Sequence, residues 1–463
     1  MPAPAISGSS FSTEEALSAF QVLHLTLRLT PRQTLKLPAE NKGNTLRGAF
    51  GVAFRRLVCI PECPDARRCP LGGTCPYRAI FEPTPPTGAK RLSKNQDAPR
   101  PFVFRPPLHF ETRNSKFETR VFVAAGVAPP LRPAPDLPPA SSPASASLEA
   151  TATPDASSIQ KPKSEIQNPK TSYEAGEAFE FGLILLGKAV EYLPYCVLAF
   201  RDLAHGGFGL NRAPCELDEV LSTSPKFGIR GAELERQSST RDSESRGSQT
   251  GRESDRSPSR LESGRLGGET GGTPDSQLVY SASDQLFRAS KAFTLADWVA
   301  YRLRELGLGP LTADQGQGTK NQGPITITVY FLTPTFLRFE EQAVRQPEFH
   351  HLFKRVRDRL NALSTFYGPG PIDADFKGLG QRAEQVRTVV TQGNWVERSR
   401  RSSKTRQRHE LSGFVGECTF EFPRLEPLES EISNAELLRW LLAGELLHVG
   451  RHTAWGNGWY VVV

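Results

Sequence analysis

The last residues of the chain hold its most concentrated chemistry. The stretch "HVGRHTAWGNG" sets His448, Arg451 and His452 within five residues, interleaved with Gly450 and followed by Gly456 and Gly458. Histidine exchanges protons near neutral pH. Glycine admits positive φ and lets backbone N–H groups close on an anion, and an arginine fork pairs with phosphate. An earlier stretch, "HGGFGLNR", repeats the combination with His205 and Arg212. Tight hairpins need glycine too, so a phosphate site and a plain turn both remain open for these loops. His448 has a structural reading as well, as a cap on the helix before it.

A second cluster is made of sulfur. In "VCIPECPDARRCPLGGTCPY", Cys59, Cys63, Cys69 and Cys75 follow the spacing C-x3-C-x5-C-x5-C. Four thiolates on a short, turn-rich loop can close a tetrahedral zinc site or hold an iron–sulfur cluster. The spacing is not that of paired CxxC knuckles, so unliganded thiols stay open beside zinc, the first expectation. A closed four-sulfur site has no position for a substrate, and its expected role is structural. Cys196, Cys215 and Cys418 stand alone and read as small buried hydrophobes.

Charge supplies a third signal. The formal net charge is +7, with a sequence pI of about 9.0. Between residues 398 and 408 lie six cations and no carboxylate, Arg400, Arg401 and Arg406 among them. Such a stripe suits a polyanion whose counterions are released on binding; a solvated basic loop is the plain alternative. The N-terminus lacks a basic start and an apolar core, and the most apolar run, "FGLILLGKAVEYLPYCVLAF", is broken by Lys188, Glu191 and Pro194. That run is expected to be a buried helix rather than a membrane span. A cytoplasmic location with no membrane partner is the expectation, and reduced thiols go with it.

The elements that must position these residues come in two batches. Residues 22–29 alternate apolar and polar as a half-buried strand does, and Leu46, Phe50, Phe54 and Leu57 then recur at helical spacing. "AFEFGLILLGKAVEYLPYCVLAFRDLAHGG" reads as strand, helix and glycine loop. "GPITITVYFLTPTFLRF" opens the second batch as a strand with a Thr-Pro break, after a helix ending at Gly307. A helix follows from Phe349 to Gly368, then the strand "LSGFVGECTFEF", a helix entered at Ser433, the glycine loop and the strand "GWYVVV". Two stretches, about 127–173 and 233–276, are rich in Pro, Ser, Ala or Gly and cannot bury enough apolar surface to offset ordering. The expected fold is α+β. Residues 1–232 form a first unit, 233–276 a disordered linker and 277–463 a second unit.

"NTLRGAFGVAFRRLVC", "CPLGGTCPYRAIFEP", "GGFGLNR", "FHHLFKRVRDRLNALSTFYG", "LSGFVGECTFEF" and "LLHVGRHTAWGNGWYV" stand in the order found in a known family. On these motifs the chain resembles the CRISPR repeat-processing endoribonucleases of the RAMP superfamily, in the subgroup with a cysteine-rich loop. The resemblance implies two tandem ferredoxin-like (RRM-like) domains, and a terminal loop similar to Gly-x-Gly-x5-Gly-x-Gly in which His448 replaces the first glycine. It implies cleavage of CRISPR precursor transcripts within each repeat, without a catalytic metal, by attack of the RNA 2′-hydroxyl to leave a 2′,3′-cyclic phosphate. Many members place a catalytic histidine at the first helix, but "NKGNTLRGAF" has none. The expected catalytic residues are therefore His448 first and His452 second. Arg47, Arg212, Arg400, Arg401, Arg406, Gly450, Arg451, Gly456 and Gly458 are expected to face RNA, with Trp455 or Tyr460 stacking on a base. A silent RAMP protein that binds repeat RNA within a CRISPR effector complex is the alternative.

Overall fold

The structure is a computed structural model that describes residues 10–63, 69–83, 98–108, 170–225, 275–308, 325–401, 408–423 and 433–463. A short helix α1 (Thr13–Ala19), capped by Ser12, leads into β1 (Gln21–Pro31). Then come α2 (Lys42–Val58), α3 (Pro76–Phe81), β2 (Phe102–Arg105), β3 (Phe179–Leu186), α4 (Leu193–Gly206) and β4 (Cys215–Ser224). Strand β5 (Asp275–Ser281) and helix α5 (Leu295–Glu305) follow. The second unit contains β6 (Ile325–Thr335), α6 (Phe349–Tyr367), α7 (Phe376–Glu384), β7 (Arg387–Val396), β8 (Gly413–Phe422), α8 (Asn434–Leu447) and β9 (Tyr460–Val462).

The strands of the first unit lie in the order β2-β3-β1-β4-β5, and those of the second in the order β7-β8-β6-β9. Every pairing between these strands is antiparallel. In each unit the first strand is followed by a helix, the second and third strands come next, and a second helix precedes the fourth strand. With the third strand between the first and second, this is the ferredoxin-like split βαβ arrangement. The fold is α+β with that arrangement twice, and β5 is added to the first sheet.

Alternation along the first sheet explains how the units join. Side chains of successive strand residues point to opposite faces. Leu23, Leu25, Leu27 and Leu29 of β1 pack with Phe50 and Phe54 of α2 and Phe200 of α4. Val22 of β1, Val103 of β2, and Ile184 and Leu186 of β3, on the other face, belong to one core with α5 and with α6 and α8 of the second unit. The first sheet is thus buried on both faces. Helix α8 is buried nearly all round, as expected of a helix apolar on every side.

A buried polar group lies on α8. Glu445 pairs with Arg302 of α5 at 3.1 Å, and accepts hydrogen bonds from the indole of Trp298 at 3.1 Å and the backbone N–H of Val462 at 2.8 Å. Arg105, at the end of β2, donates to the carbonyl of Glu445 at 3.0 Å. Arg105 thereby ties the first sheet to the helix that leads into the glycine loop.

Three expectations change. Residues 275–281, placed across the linker and the start of the second unit, pair with β4, and Phe293–Thr294 pairs with β1. The outer edge of β4 offers unpaired backbone groups, and β5 covers them. The apolar run 181–200 is not one helix: it is β3, a 3-10 turn from Gly187 to Tyr192, and α4, whose first turn accepts Pro194. The Thr-Pro pair does not break β6, which runs through Pro334 while the register with β8 shifts between Phe414 and Gly416. Residues 127–169 and 233–274, the greater part of the low-complexity stretches, lie outside the described residues, whereas Ser172–Tyr173 pairs with Leu35–Lys36. No helix among the described residues is long and apolar enough to cross a membrane.

Candidate functional site

The glycine loop leaves α8 at His448 and returns as β9, running along the seam between the units. Gly450 has φ +82°, and a Cβ there would collide with the carbonyl of Phe336, so only glycine lets the loop lie on the end of β6. Residues 453–455 form one 3-10 turn, entered from His452 in a left-handed conformation with φ 62°. Gly456 and Gly458 also take positive φ, and Gly456 sits against Phe104 and Pro106 of the first unit.

Trp455 is the centre of the site. The imidazole of His452 stacks on it, ring centres 4.4 Å apart and 8° from parallel. His409 meets it edge-on at 6.0 Å. The guanidinium carbons of Arg47 and Arg400 lie 5.7 and 5.1 Å from its ring centre. Arg47 comes from α2, Arg400 and His409 from paired strands of one ribbon, Ser399–Arg401 with Arg408–Glu410. Helix α2 approaches closely because residue 43 is glycine: a Cβ there would strike the Trp455 carbonyl. Three segments distant in sequence thus place two imidazoles and two guanidiniums around one indole.

Burial sets the protonation of the cluster. His452 is held down to about 4, chiefly by desolvation, with its hydrogen bond to the Glu410 backbone pulling the other way and Arg451 and His409 adding repulsion. It is neutral at pH 7 and able to accept a proton. Arg47 is lowered to about 10 by burial first and by Arg100 and Arg400 nearby, and it stays charged.

His448 is elsewhere. It is fully buried, donates from Nδ1 to the carbonyl of Asn457 at 3.2 Å, and stacks on Trp459 at 5.9 Å and 4°. Burial, with Arg105 and Arg359 close by, holds it neutral well below its ordinary value. The guanidinium of Arg105 covers the Trp459 ring at 4.9 Å. A ring packed in this way ends α8 and fixes the loop, and it has no surface to offer a polymer. The sequence placed His448 first; the structure buries it and sets His452, the second choice, against Trp455. Tyr460 is also buried, its hydroxyl donating to the carbonyl of Leu441, and presents no face to a base.

The remaining candidates divide. Arg451 is exposed and lies over the Phe336 ring at 4.5 Å, beside the cluster. Arg212 is exposed on the 207–212 turn next to Lys36, and no contact among the described residues joins it to Trp455. Arg401 lies in the ribbon, paired with Arg408, while Arg406 falls outside the described residues.

Two residues escaped notice in the sequence. His409 reads there as one more member of a basic loop, and only strand pairing brings it to Trp455. Lys42, the first residue of α2, is 5% exposed, and burial lowers it to about 8. Its ammonium has no hydrogen-bond partner among the described residues. The helix begins within "NKGN", at Lys42, and nothing in the composition of that stretch marks a buried lysine.

The cysteine loop packs below α2. Cys63, Cys69 and Cys75 are buried together with Ile60 and Tyr77. Hydrogen bonds link the thiols of Cys59 and Cys63, Cys63 and Cys69, and Cys69 and Cys75. The sulfurs neighbour one another in sequence order, although among the described residues no three of them lie mutually within 4.8 Å; a donor set of thiols alone suits a soft or borderline metal.

Two family models match the chain. One, described as an N-terminal domain, covers residues 20–124 and 140–241. The other, the CRISPR-associated endoribonuclease Cas6, covers residues 329–460. No curated protein matches the sequence. Among solved structures, a chain of a partial Cas6-RT-Cas1–Cas2 complex is 11% identical with a TM-score of 0.43, over 96% of this chain and 46% of that one. A Cas6 from Thermus thermophilus is 12% identical with a TM-score of 0.38, over 96% of this chain and 99% of that one. A RAMP protein binding different RNA substrates is 8% identical with a TM-score of 0.33, over 95% and 99%. This chain spans 46% and 29% of the two Cas6-RT-Cas1 chains that it resembles. Likenesses at this level decide nothing about activity. The Cas6 match over residues 329–460 falls on a unit whose strands follow the ferredoxin-like order, so the C-terminal unit of this chain is similar to the CRISPR-associated endoribonuclease Cas6 family.

Proposed function

We propose that the chain is an RNA endonuclease that cuts CRISPR precursor transcripts within their repeats, without a catalytic metal. The observation that carries this reading is the gathering of His452, His409, Arg47 and Arg400 around Trp455. Neutral His452 takes the proton of the 2′-hydroxyl, and the 2′-oxygen forms a bond to phosphorus. The bond from phosphorus to the 5′-oxygen breaks, and His409 delivers a proton to that oxygen. Arg47 and Arg400 neutralise the charge of the phosphorane between these steps. The products are a 2′,3′-cyclic phosphate and a 5′-hydroxyl. Repeat RNA is the proposed partner, with other CRISPR proteins in complex with the enzyme.

The cysteine loop is proposed to hold a structural zinc through Cys59, Cys63, Cys69 and Cys75. Bound zinc would lock the segment after α2 and so steady the helix that carries Arg47. An iron–sulfur cluster is the competing occupant of the same thiols.

One observation favours the second reading, an inactive RAMP subunit that binds repeat RNA: burial makes His452 a weak base in the free protein. Phosphate in the site would raise its proton affinity. Incubating the protein with repeat transcript and analysing the RNA ends separates the readings. Cyclic phosphate ends that require His452 support the enzyme, and tightly bound but intact RNA supports the silent subunit.

A further inference from the structure

A second set of cations and aromatic rings adjoins the Trp455 cluster. The ring of Phe336, just past β6, meets Trp395 of β7 at 5.7 Å and 60°. The guanidinium carbon of Arg451 lies 4.5 Å from the Phe336 ring centre, and that of Arg345 lies 5.3 Å from the Trp395 ring centre. Both rings are half-buried, while Arg345 and Arg451 are exposed. Phe336 and Trp395 are held from beneath: Trp395 packs against the core of the second unit, and the loop at Gly450 lies on the backbone of Phe336.

The two sets share two strips of chain. One strip supplies Trp395 to the second set and Arg400 to the first. The other supplies Arg451 to the second set and the adjacent His452, with Trp455, to the first. A strand of RNA passing the Trp455 cluster therefore meets this second set next. Aromatic faces flanked by guanidiniums are what single-stranded nucleic acid needs, because every base has a face to stack and every linkage a phosphate to pair.

We infer that Phe336, Trp395, Arg345 and Arg451 form a subsite for one unpaired nucleotide flanking the cut phosphate. The base stacks on Trp395 and Phe336 and displaces a guanidinium from its ring. Arg345 and Arg451 take the phosphates on either side. The subsite selects RNA with an unpaired flank over a fully paired end. The inference rests on the proposed RNA-cleaving function and adds to it a determinant of which repeats are cut.

The test uses the full chain and repeat transcripts carrying 2-aminopurine on either side of the cut, together with a blunt hairpin lacking the flank. Wild-type protein should quench the fluorophore at one of the two positions. Trp395→Leu should lose that quench and bind flanked RNA about tenfold more weakly, with binding of the blunt hairpin unchanged. Arg345→Gln, at an exposed residue, should weaken flanked RNA alone and lower its salt dependence. Equal quench and affinity in the variants, or equal losses for both RNAs, would overturn the subsite. Cutting by wild type that ignores the flank overturns the subsite and leaves the enzyme reading intact. Failure of wild type to bind either RNA overturns both.

Discussion

His452 and Trp455 stack with ring centres 4.4 Å apart and planes 8° from parallel, an arrangement set by the single 3-10 turn between them. The Trp455 backbone N–H donates to the His452 carbonyl at 2.9 Å, closing that turn. The stack orients the imidazole, and burial keeps it neutral. His452→Ala should therefore abolish cleavage while changing RNA affinity less than about threefold, since general acid–base groups contribute about 10²–10⁴ in rate. Single-turnover cleavage and filter binding measure the two effects separately.

His448 should behave in the opposite way. Its ring is stacked on Trp459 and buried beside Arg105, so His448→Ala opens a cavity and frees the Asn457 carbonyl. A loss of about 2–4 kcal/mol in stability is expected, read by urea denaturation. Protein that remains folded should keep its RNA-cleaving chemistry. Loss of cleavage in a folded His448 variant, with His452→Ala active, would reverse the assignment.

Arg47 and Arg400 should contribute through charge. Each contact with a single-stranded phosphate adds about 0.7 to the slope of log affinity against log salt. Arg400→Gln should lower that slope by about one such increment, uniformly across RNA sequences. Arg212→Gln, at a residue that no contact among the described residues joins to Trp455, should leave it unchanged. A titration of binding against salt for the two variants makes the comparison.

Acid should destabilise the fold. The folded value of His452, about 4, lies below the ordinary histidine value of 6.5. Between these values the unfolded chain binds more protons than the folded one, so stability rises with pH through this window and levels off above it. The contribution of His452 is at most about 3 kcal/mol. His24 and His448, fully buried and also held neutral, act in the same direction. Unfolding free energies measured from pH 4 to 7 should show this rise.

Much of the fold is legible in the sequence because its patterns are local. Alternation in residues 22–29 and helical spacing from Phe349 to Phe366 state the strand and helix directly. The addition of residues 275–281 to the first sheet is not legible, because a free strand edge is a property of the assembled sheet. The site follows the same division. The glycine loop, Arg47, Arg400 and His452 can each be picked out by type, but their meeting at Trp455 depends on the fold. Burial separates His448 from His452, and two histidines four residues apart in one loop carry no local mark of which is covered. Lys42 and His409 were missed for the same reason, since their surroundings come from distant segments.

The most direct measurement is cleavage of repeat transcript in EDTA by wild type and His452→Ala, with protein-bound zinc measured alongside and the RNA ends analysed. Wild type in EDTA should leave 2′,3′-cyclic phosphate ends, and His452→Ala should leave the RNA intact and bound. RNA left uncut by folded wild type, or cut equally well by the variant, would contradict the proposed cleavage.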